Sequence, residues 1–310
     1  MNKRTSVEYI IILIIIIILI YRLRFIENKK ISNYTSDTII YDDYKFIDYT
    51  GDMPIKNIDN PKNEMKKYNI IFGSTIRNVE KYMKSNLKNL KECGEKFNNY
   101  LVIIYENGSN DSTREILLEN KQDNYIYLFE DNVREELRTV RIANGRNKIL
   151  EKIREINKSY YYYDYLIMID LDDVNESGLF VNTIETCFQY SNWDVLTGNQ
   201  SSNYYDLWAL RKKEDMEYDG WKMIRMNKHI PNADNKFLWS KYKQYKEGEL
   251  LEIDSGFGGI AIYNLKSIPN ECRYIGNYED GTDKCEHVEF NRCIKNSGKN
   301  IYINTDFLTY

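Results

Sequence analysis

Four short apolar runs, each closed by small or acidic polar residues, alternate with helix-periodic stretches between residues 68 and 173. The first run, 68–75, reads Tyr-Asn-Ile-Ile-Phe-Gly-Ser-Thr; the others are Leu101 to Tyr105, Tyr125 to Phe129 and Tyr165 to Ile169. Runs this short, bounded by turn residues, predict buried strands. Between them, 79–92 places Val79, Tyr82, Met83, Leu87 and Leu90 near one helical face, and 138–157 carries Ile142, Ile149, Ile153 and Ile156 as a stripe. Strands alternating with helices predict an α/β fold with a mainly parallel sheet flanked by helices. In such a sheet the ligand crevice lies beyond the carboxyl ends of the strands. Three polar clusters fall there: Gly73-Ser74-Thr75, the loop from Glu106 to Thr113, and Asp170-Leu171-Asp172-Asp173.

The remaining composition narrows the class. With 310 residues the chain can bury a sizeable core without help from disulfides or metals. Its net charge of -4 argues against a broad electrostatic grip on nucleic acid, so no nucleic-acid partner is expected. At 42% hydrophobic and 29% charged it is neither a disordered tail nor a multi-span membrane protein. Five cysteines, Cys93, Cys187, Cys272, Cys285 and Cys293, show no zinc-type spacing. Two readings stay open for them: separate thiols, or one disulfide within the C-terminal three.

Ile10 to Ile20 is an unbroken Ile/Leu run flanked by Tyr9 and Tyr21. Extended to 7–26 it reaches the length of a bilayer span, with its charges near the ends where long side chains can reach water. No small-residue cleavage site follows, so an uncleaved signal-anchor is expected, with membrane as a partner. The organisation read from the sequence is a short tail at 1–6, the anchor at 7–26, a polar stem at 27–66 punctuated by Pro54 and Pro61, and a globular domain at 67–310. Basic residues on both sides leave orientation open on charge alone; a type II protein with a lumenal catalytic domain is the expectation.

Asp170 and Asp172 directly follow a strand. Two carboxylates at i and i+2 in an extended turn repel one another unless a cation sits between them. Oxygen-only ligands suit Mg²⁺ or Mn²⁺, which keep positions open for phosphate oxygens. A solvated acidic turn is the plain alternative. In the loop 106–113, Glu106 can accept hydrogen bonds from a base or ribose, Gly108 permits a tight turn, and Asp111 or Ser112 can cap the next helix. Farther on, Asp254-Ser-Gly-Phe-Gly-Gly259 precedes another strand pattern, and its glycines would let backbone approach a sugar. Trp208, Trp221 and Trp239 are candidates for stacking on sugars, although core packing is the commoner use of an aromatic ring.

The stretch Tyr-Glu-Asn-Gly-Ser-Asn-Asp-Ser-Thr-Arg-Glu-Ile-Leu at 105–117, about sixty residues before Met-Ile-Asp-Leu-Asp-Asp at 168–173, resembles nucleotide-sugar glycosyltransferases of the GT-A type. Arg-Ile-Ala-Asn-Gly-Arg-Asn at 141–147, the glycine stretch at 254–259 and Cys-Glu-His-Val-Glu-Phe-Asn at 285–291 are similar to the fungal capsule-associated mannosyltransferase group and to glycosyltransferases of large DNA viruses. The resemblance covers roughly 68–300, and departs from the usual loop pattern in carrying Glu106 where an Asp is common. It implies a GT-A (Rossmann-like) domain that moves a sugar from a nucleotide-sugar donor to a glycan or glycoconjugate hydroxyl. It implies that Thr75 and Glu106 contact the nucleoside, and that Arg146, assisted by Asn147, faces the diphosphate or sugar. Asp170 and Asp172 would hold Mn²⁺ or Mg²⁺, with His287 completing the metal shell. Glu286 is the candidate general base, or else only orients the acceptor. Another nucleotide-sugar or nucleotidyl transferase, or a non-catalytic relative, is the competing reading; donor, linkage and stereochemistry stay open.

Overall fold

The computed structural model describes residues 38–42, 44–131, 137–158 and 162–309. Its centre is an eight-stranded sheet: β1 (Asn69–Ile76), β2 (Asn99–Asn107), β3 (Tyr125–Glu130), β4 (Tyr165–Ile169), β5 (Val195–Asn199), β6 (Leu250–Glu252), β7 (Ile260–Asn264) and β8 (Ile301–Leu308). The spatial order is β3-β2-β1-β4-β7-β5-β8-β6. The first four strands run parallel to one another, with Ile71 opposite both Leu101 and Leu166. Strand β7 enters antiparallel between β4 and β5, β8 returns parallel to β5, and β6 closes that edge antiparallel. The fold is therefore mixed α/β with a mainly parallel half, as the alternation of apolar runs and helices predicts.

Successive residues of a strand point to opposite faces, and here both faces are covered. Ile71, Leu101, Ile103, Leu166 and Met168 pack on one side, while Ile70, Phe72, Val102, Ile104, Ile167 and Ile169 pack on the other. That is why these strands read as continuous apolar runs and not as alternating ones. Helix α1 (Glu80–Gly94) and helix α2 (Thr113–Glu119) serve the second face, through Met83, Leu87, Leu90 and Leu117. Helix α3 (Arg138–Asn157) and helix α4 (Glu286–Asn296) serve the first, through Ala143, Ile149, Leu150, Ile153, Phe290 and Ile294. Helix α3 sits so close to the sheet that a Cβ on Gly145 would stand 2.4 Å from the Tyr105 ring. This approach brings Arg146, the next residue, to the carboxyl ends of the strands.

Residues 38–66 belong to the stretch read as a polar stem, and in the structure they lie along the domain. Asn227 bonds the backbone of Ile40 at both its N–H and its carbonyl, and the Ile47 N–H donates to Asp254. Ile55–Lys56 pairs with Tyr190–Ser191 as a two-residue ribbon. The signal-anchor expected at 7–26 lies outside the described residues; among the described residues no helix is long and apolar enough to cross a membrane. Of the two readings for the cysteines, the disulfide is found: Cys272 is bonded to Cys293, and Cys93, Cys187 and Cys285 are buried thiols. Cys272 lies in the loop before α4 and Cys293 within α4, so the bond fastens that helix to the loop carrying Tyr274.

Candidate active site

The carboxyl ends of β1, β2 and β4 open into a cleft of about 400 Å³. Its walls include Thr75, Asn107, Arg146, Asp170, Asp172, Asp206, Phe257, Glu286 and His287. Asp170 follows the last residue of β4, and its N–H donates to the Gly259 carbonyl at 2.9 Å. Buried Asn175 reaches back to the carbonyls of Asp170 and Gly259, both at 2.9 Å, and Asn86 of α1 bonds the carbonyl of Asp172 at 3.0 Å. The acidic turn is thus held by its backbone, which leaves its carboxylates to the cleft.

Arg146 is the hub. It is 4% exposed, and its guanidinium forks to two acids from different elements: Nη1 donates to Glu286 Oε1 at 2.6 Å and Nη2 to Asp170 Oδ1 at 2.9 Å. Its Cζ lies 4.8 Å from the Phe257 ring centre and 5.7 Å from that of Tyr274. Burial alone would lower its pKa, but Glu286 and Asp170 more than offset that and raise it. Arg146 is charged at every working pH, and a planar fork is the group that can serve two carboxylates at once.

The acids outnumber that one cation. Burial pushes the Asp170 carboxyl up to about 7, against the pull of Arg146 and with help from Asp172, Glu286 and Asp206. Burial also raises Asp172 and Asp206. The His287 ring is stacked on Phe257 with centres 3.9 Å apart, its Nε2 meets Arg146 Nη1, and its Nδ1 has no hydrogen-bond partner. Burial, and then Arg146, hold its pKa well below the ordinary 6.5, so the imidazole is neutral.

A divalent cation fits this donor set. Asp170 gives one oxygen to Arg146, and Asp172 accepts the Val174 N–H at 3.2 Å through Oδ1. Among the described residues no hydrogen bond occupies the second oxygen of either. Partly buried carboxylates offering hard oxygen donors are what Mg²⁺ and Mn²⁺ take, commonly through one or two carboxylates with waters and phosphates completing the shell. Among the described residues no group of three or more His, Cys, Asp or Glu side chains forms a ready-made metal cage. Two carboxylates sharing an ion with substrate oxygens do not require one.

The structure brings together most, but not all, of the residues singled out in the sequence. Thr75, Arg146, Asp170, Asp172, Glu286 and His287 line one cleft. Glu106 stands apart from that lining. Its carboxylate is fully buried and spent on Arg114, with Nε at 2.8 Å, and on the Ser109 N–H. The residue that lines the cleft from that loop is its neighbour Asn107, whose buried Oδ1 has no partner, as is also true of Thr75 Oγ1. Asn147 likewise faces away. It accepts the Tyr274 N–H and donates to the Tyr274 carbonyl, both at 2.9 Å, pinning the loop that carries this ring over Arg146. The glycines at 256–259 serve packing: a Cβ on Gly258 would meet the Gly198 carbonyl at 2.5 Å, and its φ of +66° is one that side-chain-bearing residues avoid. Trp208 does line the cleft, with Trp221 packed 5.2 Å behind it, whereas Trp239 is half exposed elsewhere.

Sequence reasoning missed Asp206, Tyr205, Arg138 and Arg141, all on the cleft wall. Asp206 lies in the loop seven residues beyond the strand that ends at Asn199, and no motif in the sequence marks it. The arginines could have been found from their place in the first turn of a helix that starts at the cleft and has no acidic residue there.

No protein-family model matches the chain, and no curated protein matches it. Among solved structures it is similar to a mannosyltransferase from Pyrobaculum calidifontis in complex with GDP-Man and Mn²⁺, with TM-score 0.43, 12% identity, and coverage of 77% of this chain and 55% of that one. It is also similar to glucosyl-3-phosphoglycerate synthase from Mycobacterium tuberculosis with Mn²⁺, UDP and phosphoglyceric acid, at TM-score 0.43 and 11% identity over 82% of this chain and 74% of that one. A third is S. aureus TarS, at TM-score 0.39 and 13% identity over 76% of this chain and 35% of that one. The chain thus spans little more than half the length of the first of these structures and about a third of the last.

Proposed function

We propose that this chain is a metal-dependent glycosyltransferase that moves a sugar from a nucleotide-sugar to a hydroxyl of a glycan or glycoconjugate. The observation that carries the reading is the fork of Arg146 between Asp170 and Glu286, at the mouth of a cleft built on the carboxyl ends of three parallel strands. Acids gathered in a cleft around one buried arginine, with Glu286 itself buried, serve no packing purpose. They are well placed to hold a cation and to face a diphosphate. The reading rests on this cleft and on the sequence motifs, not on the likeness to solved structures.

In this reading Thr75 and Asn107, with their unpartnered oxygens, receive the nucleoside, and Asp170 and Asp172 hold the divalent ion. When bound, that ion neutralises charge on the departing nucleoside diphosphate. Arg146 orients Asp170 and favours its ionised form against the burial that raises its pKa, and Phe257 and Tyr274 fix the guanidinium between them. Arg138 and Arg141 line the same cleft and add positive charge toward the phosphates. Mannosyl transfer is the finer proposal, on the sequence resemblance alone, as is a membrane-anchored, lumenal setting.

The test is a donor screen. Purified protein is mixed with GDP-mannose, UDP-glucose, UDP-galactose and UDP-N-acetylglucosamine, with and without Mn²⁺, and nucleoside diphosphate release is measured over a panel of methyl glycoside acceptors. Metal-dependent release with one donor supports the reading. No release with any donor, from protein that also fails to bind GDP or UDP in the presence of Mn²⁺, removes it.

A further inference from the structure

Glu286 is the acid that its sequence context offers as the proton acceptor, yet its carboxylate is already committed. It is 6% exposed, receives Arg146 Nη1 at 2.6 Å, and lies 3.7 Å from His287 Nε2. Its Oε1 is directed at the Arg146 guanidinium, so the contact that would receive a hydroxyl proton is already taken up by positioning Arg146.

Asp206 is held differently. It lines the same cleft, and no arginine, lysine or histidine among the described residues lies within ion-pair distance of its carboxylate. Backbone alone fixes it: Gly258 N–H donates to Oδ2 at 3.0 Å, and Ala209 N–H makes a long contact to Oδ1 at 3.4 Å. The left-handed, tightly packed Gly258 thereby acquires a purpose, since its N–H aims this acid. Tyr205 and Trp208, on either side in sequence, also line the cleft. A carboxylate and aromatic side chains on one cleft wall are the usual chemistry of a sugar subsite, with hydrogen bonds to hydroxyls and ring faces against C–H groups.

We propose that Tyr205, Asp206 and Trp208 form the acceptor subsite, and that Asp206 takes the acceptor hydroxyl's proton while Glu286 serves as the counter-ion that positions Arg146. The inference rests on the glycosyltransferase reading and deepens it. In the step, the acceptor oxygen bonds to the anomeric carbon. The bond from that carbon to the phosphate oxygen breaks, its electron pair leaving with the nucleoside diphosphate. The hydroxyl proton ends on Asp206 Oδ1, the more weakly held oxygen.

Azide separates a base from a merely structural group, because it is already an anion and attacks without losing a proton. Wild type, Asp206→Asn and Glu286→Gln are compared for transfer to a methyl glycoside and for formation of glycosyl azide from the same donor. Calorimetric binding of UDP or GDP with Mn²⁺ and a thermal melt show that each variant is folded and binds the nucleotide. Asp206→Asn keeps the shape and can still accept the Gly258 N–H. It should lose about 10²–10⁴-fold in sugar transfer while forming glycosyl azide as wild type does. Three results would overturn the proposal: sugar transfer retained in Asp206→Asn, loss of both reactions in a folded variant, or the azide-selective pattern in Glu286→Gln. A wild type that consumes no donor removes the glycosyltransferase reading, and this assignment with it.

Discussion

Arg146 Nη1 and Glu286 Oε1 lie 2.6 Å apart although 140 residues separate them in the chain. One sits on the helix that follows the third strand and the other starts the helix before the last. Their meeting joins the two halves of the sheet at the cleft. Arg146→Met leaves the buried Glu286 and the partly buried Asp170 without their cation and should cost about 3 kcal/mol of stability. Arg146→Lys keeps the charge but cannot serve both acids with a planar fork. It should fold nearly as well and still lose turnover. Denaturant melts of the two variants, beside their nucleotide-sugar turnover, check the pair.

Asp172→Asn should reduce transfer by roughly a hundredfold or more, since metal stabilisation of a leaving diphosphate is worth several kcal/mol. Its Oδ1 can still accept the Val174 N–H, so the melting temperature should hold. Full activity in this variant, or of wild type in EDTA, would reject a metal role for this turn.

Metal binding should be coupled to proton release. Without metal, Asp170 titrates at about 7, so at pH 6 most molecules carry a proton there that an incoming cation must displace. Mn²⁺ affinity should therefore rise as pH increases toward 7 and level off above it. In the metal-free protein the same shift acts on stability. A carboxyl raised in the fold retains its proton where the unfolded chain has lost it, so this group's contribution falls as pH rises from about 4 to about 7. Calorimetry in buffers of different ionisation enthalpy, at pH 6 and pH 8.5, measures the released proton. Equal release at both values would contradict the assignment.

The Cys272–Cys293 bond closes a loop of 21 residues onto the helix that begins with Glu286 and His287. Replacing both cysteines by serine should cost about 3 kcal/mol on the loop-entropy account. Turnover should respond more than the acceptor KM, because the bond fastens the Tyr274 loop and the Glu286 helix that hold Arg146, whereas Tyr205, Asp206 and Trp208 lie outside the bonded segment. Melts and kinetics of the double variant, and of wild type in reducing buffer, test both parts. Assays run in reducing agent would, on this account, sample the loosened enzyme.

How legible the fold was in the sequence depended on what each element buries. Strands β1 to β4 are covered on both faces, so they stand out as apolar runs, and α3 was bounded at its observed 138–157. Strand β5, Val-Leu-Thr-Gly-Asn, is equally buried but carries three polar or small residues, and nothing in its pattern marks it. The acidic turn and Glu286 could be found because strand ends and motif context pointed to them. Glu106 shows the limit: its position at a strand end was read correctly, but its partner Arg114 sits on the next helix, and only the fold shows that the two neutralise each other. Asn147 failed for the same reason, its amide being taken by the backbone of a loop far away in sequence.

The segment from Thr38 to Asp48 is sewn to the domain through Asn227, Lys222 and Lys213, so the usable tether to anything before it ends at Thr38. On the proposal that 7–26 lies in a bilayer, roughly 12 peptide links separate the anchor from Thr38, and no chain of that length reaches beyond about 40 Å. An enzyme anchored in this way would work in a shell next to the membrane. Its acceptors would be molecules that are carried in that membrane or pass close by it, and a freely diffusing glycan deep in the lumen would meet it rarely.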